Sequence, residues 1–331
     1  MTSTAPNNST MTLAKALNTA LRDSMAEDNK VLMMGEDVGK LGGVFRITDG
    51  LLKDFGEHRV MDTPLAESGI VGTAVGLAMR GYRPIVEIQF DGFVFPGFDQ
   101  IVSQVAKVTY RSQGAWKMPL VIRIPFGGGI GAVEHHSESP ESFFCHIAGL
   151  RVMACSNASD GYHMLRQAIA LDDPVVFFEP KRRYWEKGLV DVTATSEHSL
   201  RTVLRRTGTD CTVVSYGPSM AVVLAAAAAA ETEGRSLEVF DLRSLSPLDL
   251  DPVVESVRKT GHLVVVSEAP REASITSEIA ARVTEEAFYS LQAPVIRVAG
   301  FDTPYPPSRL EADYLPSLDK VLEAVDRCVG F

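Results

Sequence analysis

The sequence predicts an α/β protein of two successive domains, each built on an open and mostly parallel sheet. Short apolar runs alternate with segments of helical periodicity along most of the chain, which is the pattern of parallel sheets covered by helices. The charged segment 181–187 and the polar segment 191–206 interrupt this alternation, which then restarts on a smaller scale. A chain of 331 residues also exceeds the size that one hydrophobic core usually serves.

The first domain is predicted to span residues 12–190. Apolar residues recur at helical spacing over 13–25, and Thr12 is a suitable N-cap for that helix. The apolar run 31–34 predicts a buried strand with polar residues, Glu36 among them, at its tip. The other predicted strands cover 84–90, 120–124, 150–154 and 175–178, and the other predicted helices cover 68–80, 98–111 and 160–171.

The second domain is predicted over 207–331, with 191–206 as the linker. Its predicted strands cover 211–216, 237–240, 262–267 and 294–298, and its predicted helices cover 219–232, 251–259 and 274–287. The proline-rich segment 302–307 is expected to be extended, because proline cannot continue a helix or a central strand. Residues 1–11 are polar and uncharged and are predicted to be disordered.

The composition of the chain excludes some classes of binding partner and location. The net charge of -10 argues against nucleic acid or an anionic membrane as the main partner. The sequence has no run of about 18 apolar residues, so no membrane-spanning helix is predicted. Its beginning also lacks the basic and apolar segments of a secretory signal. The four cysteines have no CxxC spacing, which favours reduced thiols and predicts a cytoplasmic location.

One stretch, Pro64 to Gly72 (PLAESGIVG), combines a carboxylate with an unusually bare helix. Glu67 stands at the start of the predicted helix 68–80, whose glycines leave the backbone open to close approach, as at a subunit contact. Holding a carboxylate away from water costs folding free energy unless the group binds a partner or a ligand. The alternative is that Glu67 only complements the helix dipole.

Two further segments suggest chemistry. The glycine-rich loop 127–132 formally fits the dinucleotide pattern G-x-G-x-x-G/A, but neither a helix start nor an acidic residue about twenty positions on follows it. Nicotinamide binding is therefore not favoured. The segment 134–138 contains His135 and His136 without the helical H-x-x-x-H spacing of a metal site. A mobile loop that offers one histidine as an acid or base is the better prediction.

An aromatic and amide cluster follows the apolar part of the predicted strand 84–90. It consists of Gln89, Phe90, Phe93, Phe95 and Phe98. These residues either belong to the core or form the wall of a binding site, because α/β sheets bind ligands at the carboxyl ends of their parallel strands.

Eight stretches in order along the chain carry a family resemblance. They are 64–72 (PLAESGIVG), 87–90 (EIQF), 95–101 (FPGFDQI), 136–141 (HSESPE), 178–181 (FEPK), 241–249 (DLRSLSPLD), 268–270 (EAP) and 300–304 (GFDTP). Together they resemble the beta subunit of the first, thiamine-diphosphate-dependent component of 2-oxo acid dehydrogenase complexes, from about residue 12 to the end. The resemblance implies a transketolase-like fold, with a thiamine pyrimidine-binding domain and a transketolase C-terminal-like domain.

The resemblance assigns catalytic roles to Glu67 and His136. Glu67 matches the carboxylate that bonds the aminopyrimidine ring of thiamine diphosphate and promotes its imino form. His136 matches a histidine near the thiazolium ring that acts as an acid or base in decarboxylation or acyl transfer. Gln89, Phe93 and Leu65 match cofactor-binding positions, although the family usually has tyrosine where this chain has Phe93.

The resemblance also implies that an alpha subunit completes the site. The Gly-Asp-Gly motif through which thiamine enzymes bind Mg²⁺ is absent from this sequence, and in this family the alpha subunit carries it. An α2β2 heterotetramer and a lipoyl acyltransferase core are therefore the implied partners. A structural potassium ion is implied near Leu120, Leu171 and Asp173.

The predicted activity is the oxidative decarboxylation of branched-chain 2-oxo acids with transfer of the acyl group to the lipoyl acyltransferase. The segment from His136 to Phe144 resembles the branched-chain enzymes more than the mitochondrial-type pyruvate enzymes. The alternatives are a pyruvate or acetoin dehydrogenase beta subunit, a scaffold subunit without activity, and a nicotinamide oxidoreductase that acts alone.

Overall fold

The computed structural model describes residues 8–194 and 200–331, and it folds them into two α/β units. The strands are β1 (Asn8–Thr12), β2 (Val31–Gly35), β3 (Val60–Asp62), β4 (Arg83–Glu87), β5 (Val121–Phe126), β6 (Arg151–Ala154), β7 (Val175–Pro180), β8 (Lys187–Asp191), β9 (Val203–Arg206), β10 (Cys211–Ser215), β11 (Leu237–Asp241), β12 (Ser244–Ser246), β13 (Leu263–Pro270) and β14 (Ile296–Gly300). The α-helices are α1 (Leu13–Glu27), α2 (Leu51–Phe55), α3 (Glu67–Met79), α4 (Val108–Arg111), α5 (Glu141–Cys145), α6 (Ala158–Ala170), α7 (Met220–Thr232), α8 (Asp251–Thr260), α9 (Ile275–Ala287), α10 (Glu311–Tyr314) and α11 (Leu318–Val329).

The first sheet has the strand order β12-β6-β7-β5-β4-β2-β3. Its pairings are parallel, except that β12 runs antiparallel to β6. The strands β2, β5 and β7 are buried along their whole length, which agrees with their mostly apolar sequence. Helices α1 and α6 pack on one face of the sheet, and α3 packs on the other.

The second sheet has the order β14-β13-β10-β11-β9, with only β9 antiparallel to its neighbour. Helices α7 and α11 cover one face. Helices α8 and α9 cover the other face, and their buried residues belong to the same apolar cluster as α3 of the first unit. The two-domain α/β prediction is therefore confirmed, and a continuous apolar contact joins the two units.

Two boundary predictions need correction. Residues 8–12 form β1, which pairs antiparallel with β8, so the prediction of disorder is wrong for 8–11; residues 1–7 lie outside the described residues. The antiparallel pairing with β8, from Asn8–Asp191 to Thr12–Lys187, gives the backbone of this segment its hydrogen-bond partners. Within the predicted linker 191–206, residues 203–206 are strand β9 of the second sheet, and 195–199 lie outside the described residues.

The predicted helix 98–111 is replaced by a π-helix over 100–105 and the short helix α4. The segment before it, 91–97, is a 3₁₀ helix that contains Pro96, whose missing N–H prevents a regular α-helical ladder. The helix α11 was not predicted at all, although Ser317 caps it by accepting the N–H of Lys320.

All four cysteines of the chain lie among the described residues, and each is a free thiol. Over residues 8–194 and 200–331, no helix is both long and apolar enough to cross a membrane. The cytoplasmic location stays a prediction.

A buried ionic cluster lies across the middle of the first sheet. Arg123 on β5 donates to Glu87 on β4 at 2.6 Å and, through two nitrogens, to Glu179 on β7 at 2.7 and 2.8 Å. Tyr184 donates its hydroxyl to Glu179 at 2.8 Å. Burial raises the pKa of Glu87. Burial alone would lower the pKa of Arg123, but the charges of Glu179 and Glu87 outweigh it, so the pKa of Arg123 is raised. Three neighbouring strands are thereby tied together inside the sheet.

Candidate functional site

Glu67 occupies the position predicted for it, at the first residue of α3. Its side chain is only 6% exposed. Gly97 packs against it so closely that a Cβ at Gly97 would lie 3.3 Å from the Glu67 carbonyl oxygen. The helix buries Ile70, Val71 and two alanines against the first sheet, while its exposed side carries small residues such as Gly69 and Gly76. The carboxyl group is thus held in a confined place at a helix start.

A second carboxyl group, not assigned from the sequence, lies near Glu67. Glu36 follows the last residue of β2 and is 8% exposed, and its Oε1 has no hydrogen-bond partner among the described residues. Burial raises the pKa of Glu36, and the charge of Glu67 raises it further. Two carboxyl groups therefore share one poorly solvated region. The sequence signal was a polar residue directly after a fully buried strand.

Gln89 belongs to the same edge of the sheet as Glu36. Its amide Nε2 donates to Asp37 Oδ2 at 3.1 Å and approaches the Glu36 carbonyl oxygen at 3.4 Å. The strands β2 and β4 are parallel neighbours, so the residues that follow them meet at their carboxyl ends. The interpretation of this edge as a binding wall is therefore supported by geometry.

His136 faces this edge from a separate loop, whose residues 134–136 form one 3₁₀ turn. Its ring lies 4.0 Å from the ring of Phe90 and 5.2 Å from that of Phe93, between centroids. Burial lowers the pKa of His136, and the neighbouring His135 lowers it further. The imidazole is therefore neutral near pH 7, and its Nδ1 has no partner among the described residues. A neutral ring with an unused nitrogen is suited to proton transfer.

The other predicted residues divide into two groups. Phe93 joins the cluster, because it contacts Phe90 and both histidines through its ring. His135 stacks on Phe93 at 6.0 Å and is half exposed. Leu65, by contrast, is 79% exposed, so it does not belong to the buried cluster in this chain.

Each potassium candidate makes a polar contact within the chain. The carbonyl of Leu120 accepts the N–H of Val175, and that of Leu171 accepts a guanidinium N–H of Arg83 at 2.8 Å. The carboxylate of Asp173 is paired with Arg151. Arg83 also donates to two more carbonyls at the end of α6. A carbonyl oxygen with one partner keeps a second lone pair, so the potassium site stays a prediction. In the described residues, no group of three or more His, Cys, Asp or Glu side chains is arranged to hold a metal.

The glycine-rich loop 127–132 is engaged by the second domain. The N–H of Gly128 donates to Glu268 at 3.1 Å, and those of Gly129 and Gly131 donate to Glu311 at 2.8 and 3.1 Å. These are the backbone donors that a diphosphate would require in a dinucleotide site. Two carboxylates occupy them instead, which agrees with the sequence argument against nicotinamide binding.

The domain interface also contains Glu141, whose carboxyl accepts the hydroxyl of Tyr216 at 2.6 Å. Glu141 is fully buried, and burial raises its pKa to about 7. Since this pKa is above the unfolded value of 4.5, ionisation opposes folding, and stability is lost as the pH rises from about 4.5 through 7. Within this pair only the carboxyl titrates in that range, because burial raises the pKa of the Tyr216 hydroxyl.

We expect the Glu141→Gln variant to lack this pH dependence. Between pH 5 and pH 8, the free energy of unfolding of the wild type should fall relative to the variant by about 2 to 3 kcal/mol. Urea unfolding at both pH values, at one protein concentration, measures the difference. Glu285→Gln on the exposed side of α9 is the control and should follow the wild type. Parallel pH profiles for wild type and Glu141→Gln would contradict the assignment.

Comparison with known families agrees with this architecture. Residues 9–186 match the transketolase pyrimidine-binding domain, and residues 201–321 match the transketolase C-terminal domain. A solved split-gene transketolase, described as an inactive beta4 tetramer, superposes with a TM-score of 0.80 at 23% identity. The superposition covers 97% of this chain and 98% of that one, and it supports the fold alone.

Relatives of similar length share much of the sequence. The pyruvate dehydrogenase E1 component subunit beta of Leifsonia xyli subsp. xyli is 60% identical, over 98% of this chain and 97% of its own length. The 3-methyl-2-oxobutanoate dehydrogenase subunit beta of Mycobacterium tuberculosis is 52% identical, over 96% and 91%. The pyruvate dehydrogenase E1 component subunit beta of Bacillus subtilis is 43% identical, over 97% and 99%.

Proposed function

The chain belongs to the beta subunits of the thiamine-diphosphate-dependent E1 component of 2-oxo acid dehydrogenase complexes, and from this premise we propose that it is a catalytic rather than a scaffolding subunit. The observation that carries the proposal is a chain of contacts around the carboxyl ends of β2 and β4. Glu67 lies near Glu36, and Gln89 approaches the Glu36 carbonyl. His136 packs on Phe90, which directly follows Gln89. A scaffold does not need a buried carboxyl group, an amide and a neutral imidazole at the carboxyl ends of parallel strands.

The residues at this edge fit the aminopyrimidine end of thiamine diphosphate. Glu67 would bond a ring nitrogen of that group, and Gln89 and Phe93 would line its pocket. The orphaned Oε1 of Glu36 and Nδ1 of His136 are consistent with a site that receives a polar ligand. Leu65 is assigned to the same pocket by the resemblance only, and its exposure means that a partner would have to complete that contact.

The proton chemistry follows from these side chains. When bound, thiamine diphosphate supplies a carbon nucleophile for the 2-oxo group and an electron sink for the loss of carbon dioxide. Glu67 would hold the proton shared with the pyrimidine ring nitrogen. His136, neutral near pH 7 because its pKa is lowered, would accept or donate a proton during decarboxylation or transfer of the acyl group to a lipoyl arm.

The alpha subunit is proposed to bind the diphosphate and Mg²⁺. This chain has no Gly-Asp-Gly motif, and the described residues offer no cluster of metal-ligating side chains. An α2β2 heterotetramer that delivers acyl groups to a lipoyl acyltransferase core is the assembly we propose. A structural potassium ion near Leu120, Leu171 and Asp173 is included on the resemblance alone.

For the substrate, we propose branched-chain 2-oxo acids, on the resemblance of the segment from His136 to Phe144. Pyruvate is the second candidate, and it is favoured by the 60% identical relative from Leifsonia xyli, whose name specifies pyruvate. The branched-chain relative from Mycobacterium tuberculosis is 52% identical, so overall identity does not decide between the two substrates.

A decarboxylation assay tests the function and the substrate together. The chain is co-expressed with its candidate alpha subunit, and 3-methyl-2-oxobutanoate and pyruvate are compared by release of carbon dioxide in the presence of thiamine diphosphate and Mg²⁺. Acetoin, which has no carboxyl group, is tested in parallel by reduction of an artificial electron acceptor. We expect kcat/KM for the branched acid to exceed that for pyruvate by about tenfold or more, as one or two added methyl groups in an apolar pocket can provide. Preference for pyruvate or acetoin would show that the preferred compound, and not a branched-chain 2-oxo acid, is the substrate. A well-formed heterotetramer that turns over none of them would favour the scaffold.

A further inference from the structure

Asp91 and Lys181 form an ion pair that the proposed chemistry does not use. Both side chains are fully buried, and Lys181 Nζ lies 2.5 Å from Asp91 Oδ1. Asp91 is the first residue of the 3₁₀ helix 91–97, and Lys181 follows directly on β7. Burial raises the pKa of Asp91 and lowers that of Lys181, so each charge depends on its partner.

The second carboxylate oxygen of Asp91 reaches the loop that carries His136. Asp91 Oδ2 accepts the backbone N–H of Glu138 at 2.7 Å. On its other side, the Glu138 carbonyl accepts the N–H of Gly127 at 2.9 Å. The backbone is therefore clamped from both sides, two residues after His136.

Gly92 lets this loop approach the 3₁₀ helix closely. A Cβ at Gly92 would lie 2.5 Å from the carbonyl oxygen of His135 and 2.7 Å from its Cβ. The two backbones thus touch directly, next to the anchor formed by Asp91. Because helix and loop are fixed together, the His136 ring is held against Phe90 on the helix side.

Stability alone does not require ions at this place. A buried ion pair contributes about as much as an apolar pair of similar volume, because the desolvation cost offsets the attraction. What an apolar pair would lack is an acceptor for the Glu138 N–H. We propose that Asp91 is a positioning residue, whose carboxylate oxygen holds the loop 134–138 so that His136 faces the site, while Lys181 neutralises its buried charge. This inference rests on the role proposed above for His136.

Two double variants distinguish the effect of the hydrogen bond from Glu138 to Asp91 from the effect of the Asp91–Lys181 ion pair. Asp91→Asn/Lys181→Met and Asp91→Leu/Lys181→Met both remove the ion pair, but only asparagine keeps an oxygen that can accept the Glu138 N–H. In the assembled enzyme, we expect the leucine variant to lower kcat by about ten- to a hundredfold, with KM within about threefold of the wild type. The asparagine variant should keep kcat within about threefold of the wild type.

A second readout does not depend on turnover. Diethyl pyrocarbonate modifies neutral imidazoles, and peptide mass spectrometry gives the rate at His136 relative to the exposed His58. We expect about tenfold faster modification of His136 in the leucine variant, because one anchoring hydrogen bond is lost. Equal His136 rates and equal kcat in the two double variants would overturn the proposal. A fully active His136→Asn variant contradicts only the role of His136, since the modification rates still test the positioning.

Discussion

The Glu67→Gln variant is expected to lose decarboxylation activity by about 100-fold or more while it still assembles with its alpha subunit. Glutamine keeps the size of the side chain and an acceptor oxygen, but it cannot exchange a proton with a ring nitrogen. Proton transfer by a positioned side chain commonly contributes a factor of this order. Turnover with an artificial electron acceptor measures the loss, and size-exclusion chromatography checks the assembly.

A matched control tests the alternative that Glu67 only complements the dipole of α3. Glu278 lies in the first turn of α9, a helix of the same 13-residue length as α3, and it is exposed. Glu278→Gln removes a first-turn carboxylate, which is worth about 0.3 to 1 kcal/mol in helix stability, without touching the site. If Glu67→Gln and Glu278→Gln both keep full turnover, Glu67 serves the helix alone and the catalytic assignment is wrong.

The Arg123→Met variant is expected to show the largest loss of stability. Methionine fills part of the volume but leaves Glu87 and Glu179 buried without their cation. Removing one member of a buried ion pair costs about 3 to 5 kcal/mol, because the remaining charge is uncompensated. Urea unfolding of the assembled protein at fixed concentration measures the loss. It should be smaller at pH 5 than at pH 8, because Glu87, whose pKa is already raised by burial, can then take up a proton.

Arg258→Met is the surface control for this prediction. Arg258 and its partner Glu255 are both largely exposed, and such pairs are worth at most about 1 kcal/mol. Replacing Glu87, Arg123 and Glu179 together by Gln, Met and Gln should recover part of the stability, since no charge is left buried. Comparable losses for Arg123→Met and Arg258→Met would mean that the cluster is not the tie across the sheet that its geometry indicates.

The parts of the fold that depend on local pattern were predictable from the sequence. The helix that begins at Glu67 has a local signal, because a carboxylate directly precedes a run of small residues. Strands β5 and β7 are short and mostly apolar runs, as expected for strands of a sheet that is buried on both faces. By contrast, β12 has three residues and pairs with a strand about ninety positions earlier, so nothing in its own sequence predicts it.

The candidate site was predictable in part for the same reason. Glu67 and His136 stand in stretches that resemble a family, whereas the proximity of Glu36 to Glu67 arises only when β2 and α3 meet at one edge. The Asp91–Lys181 pair likewise joins residues that are 90 positions apart. A charged residue directly after a fully buried strand, as at Glu36 and Lys181, is the signal that could have found them.

The antiparallel pairing of β12 with β6 makes the two halves of the chain depend on each other. A fragment that ends before residue 244 would leave the edge of β6 open, and an unpaired edge of a buried strand is a template for aggregation. The second half expressed alone would carry Ser244–Ser246 with no strand to receive it. A strand pairing and a shared apolar cluster therefore cross the boundary between the two domains, and either domain expressed alone would lack part of its own packing.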